Sequence, residues 1–196
     1  MQRRRFIAMT GAVLASSGLS LTGCTTTAPS SSDTPEASAK RRATIDADVD
    51  ATLARLYANV QGSHELVDKA RGVLVFPSVI SAGFWFGGQY GQGALRIGGQ
   101  PSGYYSIAAA SFGLQIGAQS KAIVMLFMTQ EALDKFTSSQ GWAAGVDATV
   151  AVVTVGANGN IDTSTATKPV EAFVLTNAGL MAGVSLEGTK ISRLFI

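Results

Sequence analysis

The stretch from Gly72 to Met128 constrains this chain more than any other part of it. Its only charged side chains are Arg96 and Lys121, yet it holds most of the aromatic residues and about half of the 22 glycines. A run so apolar and so poor in charge has no solvated helix face to present, and predicts a folded β core. Ser111 to Gln119 alternates, with Phe112, Leu114, Ile116 and Ala118 on one side and small or polar residues on the other. That is the period of a half-buried antiparallel strand. Ala122 to Met128 is apolar throughout and predicts a strand buried on both faces. Gly98-Gly99-Gln100-Pro101 marks a turn between strands over 94–97 and 104–109. Residues 73–76 predict a short strand closed by Pro77, and Phe84-Trp85-Phe86 an apolar hairpin among glycines.

Helical periods flank this core. From Asp46, the residues Val49, Leu53, Leu56, Tyr57 and Val60 fall on one face, and Asp46, Asp48 and Asp50 occupy the first turns, where the helix dipole favours acids. Gly62 ends this helix, and Ser63 is the expected N-cap of a short second one with Leu66, Val67 and Ala70 inward. A third short helix runs from Gln130 to Phe136 behind Thr129. Strands follow over 146–155, 170–176, 180–186 and 191–196, with a tight turn at Asn158-Gly159. The expected class is α+β, a curved or barrel-like antiparallel sheet of about eight to ten short strands with two or three packed helices.

The N-terminus reads as a targeting segment. Arg3, Arg4 and Arg5 precede an apolar run from Phe6 to Leu21, and Leu21-Thr22-Gly23-Cys24 has the order of a lipoprotein cleavage box. Cys24 is the only cysteine of the chain. Residues 1–23 are therefore expected to be a signal peptide, 24–43 an acylated cysteine with a flexible tether, and 44–196 the domain. The only cofactor-like group expected is the covalent diacylglycerol and acyl chain (palmitate) on Cys24. The arginine run also resembles a twin-arginine export signal, with general secretion the alternative. Thr25, where an aspartate would retain a lipoprotein at the inner membrane, implies the bacterial outer membrane, facing the periplasm.

Cleavage changes the charge. The whole chain has 15 basic and 13 acidic side chains, and losing three arginines leaves 12 against 13, or −1. A nucleic-acid partner, which needs a basic face, has no support. Lys40-Arg41-Arg42 is the one basic cluster outside the signal, either a solvated linker end or a contact for anionic headgroups. The Phe84–Phe86 hairpin is likewise either core or an apolar rim at a membrane interface, where tryptophan suits a wet–dry boundary. The Tyr104-Tyr105 pair carries the same two readings.

No constellation carries chemistry. The glycines of 83–93 are not followed by a helix-forming segment or a Gly-Lys-Ser/Thr, so no phosphate loop is expected. There is no nucleophile elbow, and His64 is the only histidine. Glu131, Asp134, Asp147, Asp162 and Glu171 lack metal-ligand spacing, and Asp162 with Asn158 and Asn160 reads as a solvated turn rather than a calcium loop. No catalytic residue and no metal is expected, and the chain is not read as an enzyme.

Collinear segments from Gly72-Val73-Leu74-Val75-Phe76-Pro77 onward resemble the SYLF domain family. They include Gly87-Gly88-Gln89-Tyr90-Gly91-Gln92-Gly93, Ser111-Phe112-Gly113-Leu114-Gln115-Ile116-Gly117, Gly141-Trp142, Asn177-Ala178-Gly179-Leu180-Met181 and Leu186-Glu187-Gly188-Thr189-Lys190-Ile191. The resemblance implies a lipid-binding, actin-regulator-like module whose relatives bind phosphoinositides, partly through a basic amphipathic N-terminal segment, and in some cases actin filaments. The corresponding helix here is acidic, so Lys40, Arg41 and Arg42 are left to play the basic part. The expected function is that of a non-enzymatic, lipid-anchored envelope protein binding lipid or membrane surfaces through Lys40, Arg41, Arg42, Phe84, Trp85 and Phe86. The alternative is a structural protein that binds an envelope protein, with the acyl anchor as its only membrane contact.

Overall fold

A computed structural model describes residues 34–83, 86–112, 119–154, 161, 168–177, 179–181 and 184–196. The expected signal segment, Cys24, Phe84, Trp85, the 158–160 turn and Asp162 lie outside the described residues, as does the side chain of Phe86.

Helices α1 (Pro35–Asn59) and α2 (Ser63–Lys69) lead into four long strands, β1 (Gly72–Gly83), β2 (Phe86–Ile97), β3 (Gln100–Phe112) and β4 (Gln119–Phe127). Then come α3 (Gln130–Ser138), β5 (Gly141–Ala143), β6 (Val150–Val152), β7 (Val170–Thr176), β8 (Gly179–Leu180) and β9 (Lys190–Leu194). The nine strands form one sheet in the order β5-β9-β3-β2-β1-β4-β7-β6, with β8 beside β7. The sheet curls into a half-barrel, and the α+β class expected from the sequence holds. All pairs are antiparallel except β6–β7, so the sheet is mixed.

Both faces of the sheet are packed, which is why β4 carries no polar alternation. Leu74, Phe76, Leu95, Ile107, Ile123, Met125 and Phe127 face α3. Val73, Val75, Ala94, Val124, Leu126, Phe173 and Leu175 face α1, which lays Ile45, Val49 and Leu56 on them. The α3 face contains an aromatic nest. Phe136 stands 4.9 Å from Tyr105 and 4.8 Å from Phe127, and Trp142 meets Phe136 edge-on at 5.8 Å.

Several expectations need correction. Strand β1 does not stop at Pro77 but runs through it on a bulge, with register shifts against both neighbours between Val75 and Val79. Proline has no N–H to give the ladder and is tolerated where pairing is already interrupted. The extra residue flips the alternation, so Phe76 and Val79 both face α3. The bulge also presses β1 onto β2. A Cβ on Gly93 would run into the Val75 carbonyl oxygen, and one on Gly91 would stand 2.7 Å from that of Ser78. These glycines allow close backbone approach rather than ending strands, so the core strands are long where short ones were expected.

Helix α1 starts at Pro35, not Asp46. Thr34 caps it by accepting from the Ala37 N–H at 3.3 Å. Pro35 fits the first turn, where no N–H is needed, and 36–43 contains good helix formers that outweigh the Ser and Thr before them. The described part of the expected tether is thus helix. Ser63 is not the cap of α2. Gly62 takes that place with φ +82°, and the buried Ser63 hydroxyl donates back to the Val60 carbonyl at 2.6 Å. The strand expected over 146–155 is reduced to β6, because Asp147 folds back to accept the Ala143 N–H and leaves Val146 83% exposed in a turn. Among the described residues of 180–186, only Leu180 is in a strand, β8. Ser111 and Phe112 end β3 and Gln119 opens β4, and the alternating residues 113–118 between them lie outside the described residues. The Gly98-Gly99 turn and the Thr129 cap of α3 are where the sequence placed them.

Candidate functional site

The phase of α1 disperses the basic cluster. Ile45, Val49, Thr52 and Leu56 are its buried face, and four residues before Ile45 on that face comes Arg41. Its guanidinium is therefore turned toward the sheet, where Nε donates to Gln92 Oε1 at 3.3 Å. Gln92 Nε2 in turn donates to the Tyr90 hydroxyl at 2.8 Å. Arg42 points along the helix flank and gives Nη1 to the main-chain oxygen of Ile196 at 2.6 Å. Lys40 is exposed. One run in sequence thus becomes three side chains with three surroundings.

Lys40 and Arg41 stand at a cleft of about 490 Å³ between the first turns of α1 and the β1 bulge. Thr44, Ser78 and Gln92 supply neutral polar groups, Ile45 and Pro77 an apolar wall, and Asp48 the one acid. Ser78 is held at the cleft by a 3.0 Å hydrogen bond between its hydroxyl and that of Ser120. The arrangement suits a hydrated anionic group that two cations can meet from one side. It contains no nucleophile beside a base. Among the described residues no three histidine, cysteine or acidic side chains are grouped to hold a metal ion.

A second polar cluster locks the middle of α1 to the sheet. Arg96 Nη2 lies 2.9 Å from Asp50 Oδ1 and 3.6 Å from Asp46 Oδ1, and it also donates to the Asp46 carbonyl at 3.2 Å. The Tyr104 hydroxyl donates to Asp46 Oδ2 at 2.8 Å. Burial, reinforced by that bond to a carboxylate, pushes the Tyr104 pKa up to about 12. The three acids expected to serve the helix dipole are therefore partly tertiary: Asp46 and Asp50 are partners of Arg96. Of the tyrosine pair, Tyr105 is core at 4% exposure and Tyr104 is half-buried in this lock.

Glu171 is the functional-looking residue that the sequence did not single out. It lies in β7 between Leu126 of β4 and Ala151 of β6, fully buried on the α1 face. Among the described residues neither carboxylate oxygen has a hydrogen-bond partner of good geometry. Burial raises its pKa, and the nearby Lys168 main chain opposes that rise. His64, by contrast, is surface structure: Nδ1 meets Asp68 Oδ2 at 2.8 Å, and the ring packs on Tyr57. Among the described residues no helix is long and apolar enough to cross a membrane.

The family described as "Las17-binding protein actin regulator" (Ysc84) matches residues 108–194, from the middle of β3 to the end of β9. The SH3 domain-containing YSC84-like protein 1 of Xenopus laevis is 30% identical over 132 residues, 64% of this chain and 39% of the relative. Its Rattus norvegicus counterpart is 30% identical over 130 residues (63% and 38%), and the human one 29% (63% and 37%). The chain thus spans less than two-fifths of the length of these relatives. The cleft at the start of α1 precedes the region matched by the family.

Proposed function

This chain carries a domain of the Ysc84 (SYLF) family, and we propose that it serves as a lipid-anchored envelope protein whose domain binds an anionic membrane surface. The coarser part, an interaction or lipid-binding module, follows from the family. The family names point to a binding module rather than an enzyme. The anchor is proposed at Cys24, with the domain on the periplasmic side of a bacterial outer membrane and no further cofactor.

The observation that carries this reading is the position of the basic cleft. Lys40 and Arg41 line it at the N-terminal end of α1, and only nine residues separate Cys24 from the Thr34 cap. An acyl anchor would hold that end of the domain near headgroups, where each cation contributes about 1 kcal/mol and the attraction is screened by salt. With several acyl chains on Cys24 the anchor would hold the chain at the bilayer by itself, and the basic patch would set how the domain meets the headgroups.

The test is co-sedimentation of the mature chain carrying Cys24→Ser with anionic and with neutral vesicles, at low and high salt. The expected result is binding to anionic vesicles that high salt weakens, and that Lys40→Glu weakens further. No binding to any vesicle would remove the lipid reading. It would favour a protein ligand, the second reading, which the description of the family as binding Las17 supports.

A further inference from the structure

Helix α1 does not cover the whole of its face of the sheet. Beyond the cleft, one row of side chains crosses five strands on that face: Ser120 (β4), Ile80 (β1), Tyr90 (β2), Ala108 (β3) and Lys190 (β9), each directly paired with the next. All five are exposed. Ile80 and Tyr90, the apolar centre of the row, are 54% and 52% accessible although they lie in the middle strands of a nine-stranded sheet. Gly88 and Ala110 continue the bare surface by one more row. The row adjoins the cleft without a break, because the Tyr90 hydroxyl is bonded to Gln92 and Gln92 to Arg41.

We propose that this strip, with the cleft beside it, is the surface that lies against an anionic phospholipid bilayer. Ile80, Tyr90 and Ala108 enter the boundary between headgroups and acyl chains, while Lys40 and Lys190 meet phosphates on either side. The proposal rests on the membrane-surface reading above and names the part of the molecule that makes the contact.

Three observations favour a bilayer over a protein. Three apolar side chains in one row fall far short of the roughly 800 Å² per partner that a stable protein complex buries. An apolar strip carrying a tyrosine and edged by cations matches the layering of a membrane interface, where tyrosine is enriched and lysine extends to the phosphates. Thr34 is ten residue steps from Cys24, a span of at most about 35 Å when fully extended, so an anchor there keeps this end of the domain, and the strip next to it, within reach of the bilayer. Asp48 is the one acid lining the cleft and sets a limit on how deeply a phosphate enters it.

The experiment uses the mature chain with Cys24→Ser and vesicles of phosphatidylethanolamine containing one quarter phosphatidylglycerol. Ile80→Ser with Tyr90→Ser is expected to weaken binding roughly tenfold or more, as the loss of two interfacial side chains implies. Val146→Ser, in the exposed turn after β5, should leave it unchanged. Independently, Tyr90→Trp should add quenching by bromine-labelled acyl chains to whatever Trp85 and Trp142 of the unsubstituted chain show, which does not depend on the folding of the double variant. If the unsubstituted chain binds no vesicles, the membrane reading itself falls. If it binds and the double variant binds equally well, with no added quenching at position 90, the membrane reading stands and this strip is overturned. A change of oligomeric state in the double variant with unchanged vesicle binding would assign the strip to a second copy of the chain, and also overturns the proposal.

Discussion

On the α3 face the sheet is closed by Phe127, Phe136 and Trp142, each almost fully buried and in ring-to-ring contact. On the α1 face the cover is uneven. Apolar residues of α1 pack densely toward its C-terminal end, polar bonds hold its N-terminal end, and past that end Ile80 and Tyr90 are left in the open. A sheet has two faces but needs only one sealed core to hold its register. Once the aromatic nest and the long central strands supply that, the opposite face is free to be finished for another purpose. Both sides of the strands thus carry a core, but on the α1 side the packing stops short of Ile80 and Tyr90.

The largest effect should come from breaking the sealed side. Phe136→Ala removes the ring shared by Tyr105, Phe127 and Trp142 and should cost about 3–5 kcal/mol in equilibrium denaturation. A loss below about 1 kcal/mol would mean that the nest collapses around the gap and is less decisive than its geometry implies. Arg96→Ala should be intermediate, at roughly 1–3 kcal/mol, because it leaves Asp46 and the Tyr104 hydroxyl with an unbalanced half-buried lock. Hydrogen exchange should then speed up in residues 46–56 of α1 while the amides of β4 keep their protection. Equal acceleration in both would erase the distinction between the two faces.

Glu171→Gln should be smaller and opposite in sign. Because burial raises the folded-state pKa of this acid, the native state holds the proton more tightly than the unfolded chain does. Its carboxyl is best tolerated below the unfolded value and becomes a liability as pH rises from there toward the folded one. The variant should therefore melt with the unsubstituted chain near pH 4 and above it at pH 7, each kcal/mol of gain appearing as roughly 2–4 °C. A lower melting point at pH 7 would show that the ionised carboxylate has a favourable partner. Lys40→Ala should be smallest, within about 0.5 kcal/mol of the unsubstituted chain, since its side chain is exposed. A melting shift larger than that would make Lys40 part of the scaffold rather than of the surface.

The local chemistry of many elements was legible. Continuous apolar segments located the central strands, Gly98-Gly99 the hairpin, and Thr129 the start of α3. Pro77 and Ser63 misled because each was judged by its commonest local role. The bulge around Pro77 exists because β2 offers two glycines to accommodate it, and Ser63 turns its hydroxyl to the Val60 carbonyl because α1 ends at Asn59 just before it. Neither partner is adjacent in sequence in a way that propensity weighs. The start of α1 was hidden by composition, since serine and threonine outnumber the helix formers until Pro35. Stepping the buried face back from Ile45 to Arg41 would have found it.

By itself the sequence determined that there would be a mostly uncharged β core with helices on either flank, because burial and alternation are written in residue types at short range. It also carried the lipoprotein-like start and the basic triplet as chemical facts. The tertiary structure alone decided that the triplet would split three ways, that Asp46 and Asp50 would hold Arg96, that Glu171 would be buried, and that Ile80 and Tyr90 would be bare. Each of these depends on which strand pairs with which and on where a helix stops across the sheet. Such long-range placements are set by the packing of whole elements, and no window of neighbouring residues contains them.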